Sequence, residues 1–146
     1  MPGKRKTEAK RWFQQASYDL EAVRWNMQGR FYDTACFLAQ QAGEKVLKSI
    51  LYYQGARRTA LLTHSLLEMA QEAVKELSNL DSIFGEAREL DLHYIPSRYP
   101  NGLPSGYPHQ FYGEETAQRA LKAAEKIFTV IQDYYGAQRE KDILEE

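Results

Sequence analysis

The chain has 146 residues, of which 43% are hydrophobic and 27% are charged, and its 19 basic and 20 acidic side chains leave a formal net charge of −1. The length and composition fit one domain with a packed core, and the balanced charge argues against a protein that coats nucleic acid by charge alone. The single cysteine, Cys36, excludes a disulfide within the chain, and the scattered histidines show no zinc-type spacing, so we expect no metal and no cofactor.

No apolar run approaches the length of a membrane span. The first residues, Met1 to Lys6, lack the apolar core of a signal peptide. We therefore expect a cytoplasmic protein without a membrane segment.

Two long segments near the start of the chain repeat apolar residues three and four positions apart. The first runs from about Thr7 to Gln28, and the second from Tyr32 to just before Gly55. This spacing predicts two amphipathic helices, and the short connection between them predicts an antiparallel pair. Residues 1–9 are predicted to be an N-terminal extension to the domain.

The second helix has a face of small residues, Ala35, Ala39 and Gly43, which would let another helix approach closely. We interpret these small residues as serving helix packing rather than catalysis, and the same close approach would also suit a dimer. The polar side of the same helix is predicted to be mostly solvated, although its glutamine and glutamate side chains could line a partner surface; it comprises Gln40, Gln41, Glu44, Lys45 and Lys48.

Two shorter helical patterns follow a link at residues 56–63. Ser65 and Glu68 have the spacing of a capping box at the start of the third helix, with Thr63 as an alternative cap. The fourth pattern runs from about Ile83 to Tyr94.

The end of the chain contains a loop, one long helix and a tail. The loop from Pro96 to Tyr112 is rich in proline and aromatic residues, the helix runs from about Glu114 to Gly136, and residues 137–146 form a polar tail that we expect to fray. No strand pattern competes. The sequence therefore predicts an all-α, up-and-down bundle of about five helices, with residues 10–136 as the domain.

Arg98 lies between two prolines, Pro96 and Pro100, each of which restricts the residue before it. This predicts a stiff, extended segment on which a guanidinium group loses little entropy when it binds an anion. The surrounding aromatic residues could stack nucleobases, or they could fold back and cap the bundle. Near Arg98 and His109 these are Tyr94, Tyr99, Tyr107, Phe111 and Tyr112.

Together these features resemble the HEPN domain family (higher eukaryotes and prokaryotes nucleotide-binding) from about Lys10 to Tyr135. The resemblance rests on Trp12-Phe13-x-x-Ala16-x-x-Asp19-Leu20, on Gln40-Gln41-Ala42-x-Glu44-Lys45, on Thr63-His64-Ser65-Leu66, and on Tyr94-Ile95-Pro96-x-Arg98-Tyr99-Pro100. It implies the helical bundle that also occurs as the C-terminal, substrate-binding domain of some nucleotidyltransferases. It further implies a homodimer and, in prokaryotes, a minimal nucleotidyltransferase as partner in a toxin–antitoxin pair.

Some members of that family are metal-independent endoribonucleases with an Arg-x(4–6)-His motif, and others bind nucleotide or RNA without cutting it. In this chain Arg57 and Arg58 have the required spacing from His64, and Arg88 has it from His93. We take Arg88 and His93 as the candidate catalytic pair, because they border the proline-framed loop. Residues five apart on an unbroken helix lie about 140° apart around its axis, so the two could converge only if the helix ends near residue 92 or a second subunit supplies one of them.

The sequence predicts a nucleotide- or RNA-binding and interaction module, whose binding residues are His64, Tyr94, Arg98 and Tyr99. His64 has an alternative interpretation as a residue at the start of a helix that bonds to the backbone. A metal-independent ribonuclease toxin acting through Arg88 and His93 is the alternative function, and a purely structural scaffold is the third.

Overall fold

The computed structural model describes residues 2–146, which form eight α-helices. They are α1 (Pro2–Gln28), α2 (Tyr32–Gln54), α3 (Arg58–Leu62), α4 (Leu66–Ala73), α5 (Phe84–Asp91), α6 (Pro108–Phe111), α7 (Glu114–Ala137) and α8 (Lys141–Leu144), with 3₁₀ turns at Ser78–Ile83 and Pro100–Gly102. Residues 2–146 contain no strand, which confirms the predicted all-α fold. The five predicted helices correspond to α1, α2, α4, α5 and α7.

The antiparallel pair of α1 and α2 forms the centre of the bundle, and α7 packs against it. The predicted apolar stripe of α1 is buried, as Phe13 and Leu20 illustrate, and it meets Ile127 and Ile131 of α7 in one core. The ring of Phe13 packs on Phe128, with centroids 4.8 Å apart. Burial of these stripes supplies the main driving force for the bundle.

The small-residue face of α2 is used inside the chain. Ala35 and Ala39 are fully buried. A Cβ atom on Gly43 would lie 2.5 Å from Cδ2 of Leu66 and 2.9 Å from Cδ1 of Leu90. Gly43 therefore allows α4 and α5 to approach α2, which confirms the packing interpretation, and the buried face is not available for a dimer contact.

Asp91, the last residue of α5, fixes the start of α4. Its carboxylate accepts hydrogen bonds from the backbone N–H groups of Leu66 (2.7 Å) and Leu67 (3.1 Å) and from the hydroxyl of Ser65 (3.0 Å). Ser65 Oγ in turn accepts from the N–H of Glu68 at 3.2 Å, which confirms the predicted cap. Negative charge at a helix N-terminus is also favourable, so these contacts hold the segments before α4 and after α5 together.

Both ends of the chain are more ordered than the sequence pattern suggested. The first helix begins at Pro2 rather than at Thr7. The tail that was predicted to fray forms α8, in which Ile143 is buried against the core and its carbonyl accepts a hydrogen bond from Gln14 Nε2 at 2.8 Å. One buried isoleucine in a polar segment was too weak a signal to predict this.

Candidate functional site

Three of the predicted binding residues lie side by side at the junction of α2, α4 and the segment after α5. The rings of His64 and Tyr94 stack with centroids 5.0 Å apart and planes inclined by 19°. The guanidinium of Arg98 also lies over the ring of Tyr94, with its Cζ 4.8 Å from the centroid of that ring. We call this arrangement the His64–Tyr94–Arg98 stack, and it joins residues from two separate parts of the chain.

Arg98 lies in a tight turn, so the predicted extended segment is wrong. Its N–H donates to the carbonyl of Ile95 at 3.0 Å, and the buried Ser97 closes the turn by donating its hydroxyl to the carbonyl of His93. Arg98 Nε donates to the carbonyl of Tyr94 at 2.9 Å. The guanidinium is therefore held by the folded chain rather than by the two prolines.

Two more aromatic rings surround this guanidinium. Cζ of Arg98 lies 4.4 Å from the ring centroid of Phe37 and 4.8 Å from that of Tyr99. No carboxylate of residues 2–146 lies within ion-pair distance of Arg98. A guanidinium that contacts aromatic rings and lacks a carboxylate partner can still pair with an anion.

The imidazole of His64 contacts the buried carboxylate of Glu44. Nδ1 of His64 lies 3.4 Å from both oxygens of Glu44, whereas the His64 side chain as a whole is 56% exposed. This contact replaces the backbone bond that the alternative interpretation of His64 required. A proton on Nδ1 would donate to Glu44, which orients the ring and leaves Nε2 for another partner.

The polar side of α2 is partly buried, contrary to the predicted solvated face. Glu44 accepts from Lys48 Nζ at 3.1 Å and from Gln40 Nε2 at 3.2 Å, and all three side chains are buried. Lys48 Nζ also lies 5.2 Å from the ring centroid of Trp12 on α1. The four-residue spacing of Gln40, Glu44 and Lys48 places them on one helix face, and this spacing is the sequence feature that could have predicted their contacts. Whether α1 and α4 would cover that face was not readable from the sequence.

The structure does not bring Arg88 and His93 together within the chain. Arg88 is exposed on α5, whereas His93 follows the end of that helix and is only 7% exposed. His93 Nδ1 lies 3.1 Å from the hydroxyl of Tyr112, and its Nε2 has no hydrogen-bond partner among the residues described. Burial lowers the pKa of His93 below its ordinary value of 6.5, and burial raises the pKa of Tyr112 to about 12.

The aromatic residues near Arg98 and His109 in the sequence do not form one cluster in the structure. Tyr94 and Tyr99 contact Arg98, whereas Tyr112 packs on His93, with ring centroids 5.4 Å apart. His109 lies in α6, where Nδ1 is 2.8 Å from a carboxylate oxygen of Asp33. The remaining pair, Tyr107 and Phe111, is exposed.

Two further features bear on what the chain can do. Within residues 2–146, none of the helices has the length and apolar character needed to cross a membrane. No three side chains of histidine, cysteine, aspartate or glutamate gather in the described part of the chain in a way that could hold a metal ion.

Comparison with known proteins matches the sequence to the HEPN domain over residues 9–134. A candidate toxin of Methanocaldococcus jannaschii, MJ1304, is 28% identical over 134 residues, which cover 86% of this chain and 87% of that protein.

Solved structures agree with the sequence match. TT1696 from Thermus thermophilus has a TM-score of 0.80 and 30% identity, covering 86% of this chain and 97% of its own. ST0689, an archaeal HEPN homologue, has a TM-score of 0.72 and 31% identity, covering 87% and 97%. The HEPN domain protein tm0613 of Thermotoga maritima has a TM-score of 0.68 and 28% identity, covering 86% and 98%. The match over most of the chain, in sequence and in fold, makes this protein a member of the HEPN domain family.

Proposed function

We propose that this chain is a nucleotide- or RNA-binding and interaction module that binds its ligand on the His64–Tyr94–Arg98 stack. The observation that carries the proposal is the guanidinium of Arg98, held among three rings with no carboxylate of residues 2–146 to neutralise it. Aromatic faces bind nucleobases, and a guanidinium binds phosphate. This surface therefore offers aromatic rings for the base of a nucleotide and a guanidinium for its phosphate.

His64 and Tyr99 complete the proposed surface. His64 presents a largely exposed imidazole, and the ring of Tyr99 is about half exposed. Either ring can extend the stack toward a second base. The orientation of His64 by Glu44 would limit the entropy lost when a ligand binds.

Replacement of Arg98 tests this site. Arg98→Ala should weaken binding of single-stranded RNA and of AMP by about tenfold or more, because a charge-assisted contact is lost. It should also lower the free energy of unfolding by about 1–2 kcal/mol, since the ring contacts and the Nε hydrogen bond disappear. Binding is measured by fluorescence anisotropy at a temperature at which circular dichroism shows both proteins folded.

Two control variants separate charge loss from unfolding. Arg98→Lys keeps the charge and should retain part of the binding. Arg24→Ala removes an exposed arginine that pairs with Glu125 at 2.8 Å, and it should bind as the wild type does. Equal binding by the Arg98→Ala variant and the wild type would refute the site.

The partner that we propose is a minimal nucleotidyltransferase in a toxin–antitoxin pair acting in the cytoplasm. The similarity to a candidate toxin supports this arrangement. Co-purification of the two proteins when they are expressed together tests it, and separate elution of the two in size-exclusion chromatography would contradict it.

A metal-independent endoribonuclease is the second candidate function, again favoured by the candidate toxin relative. If His93 acts as a general base on a ribose 2′-hydroxyl, His93→Ala should reduce RNA cleavage in EDTA by at least about a hundredfold. His93 is buried and Arg88 is exposed, so both side chains would have to rearrange to meet at one phosphate. The assay compares wild type and variant on single-stranded RNA, and equal cleavage by both would exclude His93.

A further inference from the structure

A groove of about 630 Å³ lies on the face of α1 and α2 that adjoins the buried Glu44–Lys48 pair. We call it the Trp12 groove; its lining includes Arg11, Trp12, Gln15, Tyr18, Lys45 and Tyr52. Its volume is within the range of small-ligand sites. None of the residues assigned to the His64–Tyr94–Arg98 stack lines it.

The groove contains a built aromatic platform. The rings of Trp12 and Tyr52 are nearly parallel, with centroids 5.9 Å apart and planes inclined by 20°. Lys48 Nζ lies 5.2 Å from the Trp12 centroid, which fixes the indole by a cation–π contact. Such a platform stacks bases with little sequence preference.

The charges around the groove are paired but partly accessible. Arg11, whose side chain is 72% exposed, contacts Glu8 at 2.8 Å, and Lys45 contacts Asp19 at 2.6 Å. The exposed Arg11–Glu8 pair contributes little to stability, so a phosphate group can compete for the guanidinium. Stacking, rather than net positive charge, would therefore supply most of the affinity.

The groove and the stack border the same stretch of α2. Lys48, beneath Trp12, bonds to Glu44, and Glu44 contacts His64 of the stack. Tyr52 and Glu44 are eight residues apart, which is about 12 Å along the helix axis. An oligonucleotide, unlike a single base, can extend along such a length of helix.

We infer that the Trp12 groove is a second base-stacking site and that the ligand of this protein is single-stranded RNA that reaches from the His64–Tyr94–Arg98 stack into the groove. The inference rests on the proposed function. It specifies an oligonucleotide rather than a mononucleotide as the ligand.

Tryptophan fluorescence tests the inference directly, because the chain has two tryptophans. Trp25 is 74% exposed on α1, so Trp25→Phe should fold normally and leave Trp12 as the only indole. Addition of oligoadenylate should quench the fluorescence of Trp12. AMP, which we expect to bind the His64–Tyr94–Arg98 stack, should quench it far less. In the matched Trp12→Phe protein, where Trp25 is the only indole, neither ligand should change the emission.

Affinity gives a second readout. Trp12→Ala should weaken oligoadenylate binding about tenfold and leave AMP binding unchanged, and Trp25→Ala should change neither. If Trp12→Ala does not fold, Arg11→Ala serves instead, since that exposed side chain has no part in the core; it should weaken oligoadenylate binding and spare AMP binding.

The outcomes separate the two proposals. If oligoadenylate binds in an Arg98-dependent way but neither quenches Trp12 nor responds to the groove variants, the groove inference fails and the proposed function stands. If the wild type binds neither ligand, the proposed function fails and the inference fails with it.

Discussion

His93 is an imidazole whose burial disfavours its protonated form in the folded chain. Its Nδ1 contacts the Tyr112 hydroxyl, and burial lowers its pKa, although the nearby Glu89 acts in the opposite direction. Below about pH 6.5 the unfolded chain therefore binds a proton on His93 more readily than the folded chain does, and stability must fall as the pH decreases through that value.

This prediction can be measured by urea denaturation. The free energy of unfolding should decrease from about pH 7.5 to about pH 5.5, with a contribution from His93 of at most about 1.4 kcal/mol per pH unit. His93→Gln retains a hydrogen-bonding side chain without titrating in this range, so its pH dependence should be shallower than that of the wild type. Identical slopes for the two proteins would show that His93 does not titrate on unfolding.

At the scale of helices, Gly43 sets the distance between α2 and its neighbours. A methyl group there would overlap with the side chains of Leu66 and Leu90. Gly43→Ala should therefore destabilise the protein by about 1–2 kcal/mol, because overpacking of about 1–3 kcal/mol exceeds the gain of up to about 1 kcal/mol in helix propensity.

Gly136 in α7 provides the matched control. No atom lies within 4 Å of the position of its added Cβ, so Gly136→Ala should stabilise the protein by up to about 1 kcal/mol. Thermal unfolding of both variants measures the contrast. An unchanged or raised Tm for Gly43→Ala would mean that α4 and α5 can move away without cost.

For the whole molecule, the predicted homodimer needs a surface other than the small-residue face of α2. That face is buried, with Leu66 of α4 and Leu90 of α5 against Gly43. Large apolar side chains remain exposed elsewhere, among them Trp25, Leu62 and Leu92. We expect a dimer at micromolar concentration, because exposed apolar side chains favour association. Light scattering measures the mass, and a monomer across that range would contradict the prediction.

The sequence alone determined the helices and the local cap. The apolar stripes of α1 and α7, the small residues of α2 and the Ser65–Glu68 cap depend on residues three or four positions apart, and helix geometry places such residues on one face. The motifs around Glu44 and Arg98 also carried the resemblance to the family.

Only the tertiary structure decided how these parts meet. His64 and Glu44 are 20 residues apart, and Arg98 reaches the ring of Phe37 across a still longer separation. The bend at Arg98, the burial of the polar side of α2 and the Trp12 groove likewise depend on which helices cover which faces. Helix periodicity shows whether a face is polar or apolar. Which other helix covers that face depends on how all the side chains of the core pack together.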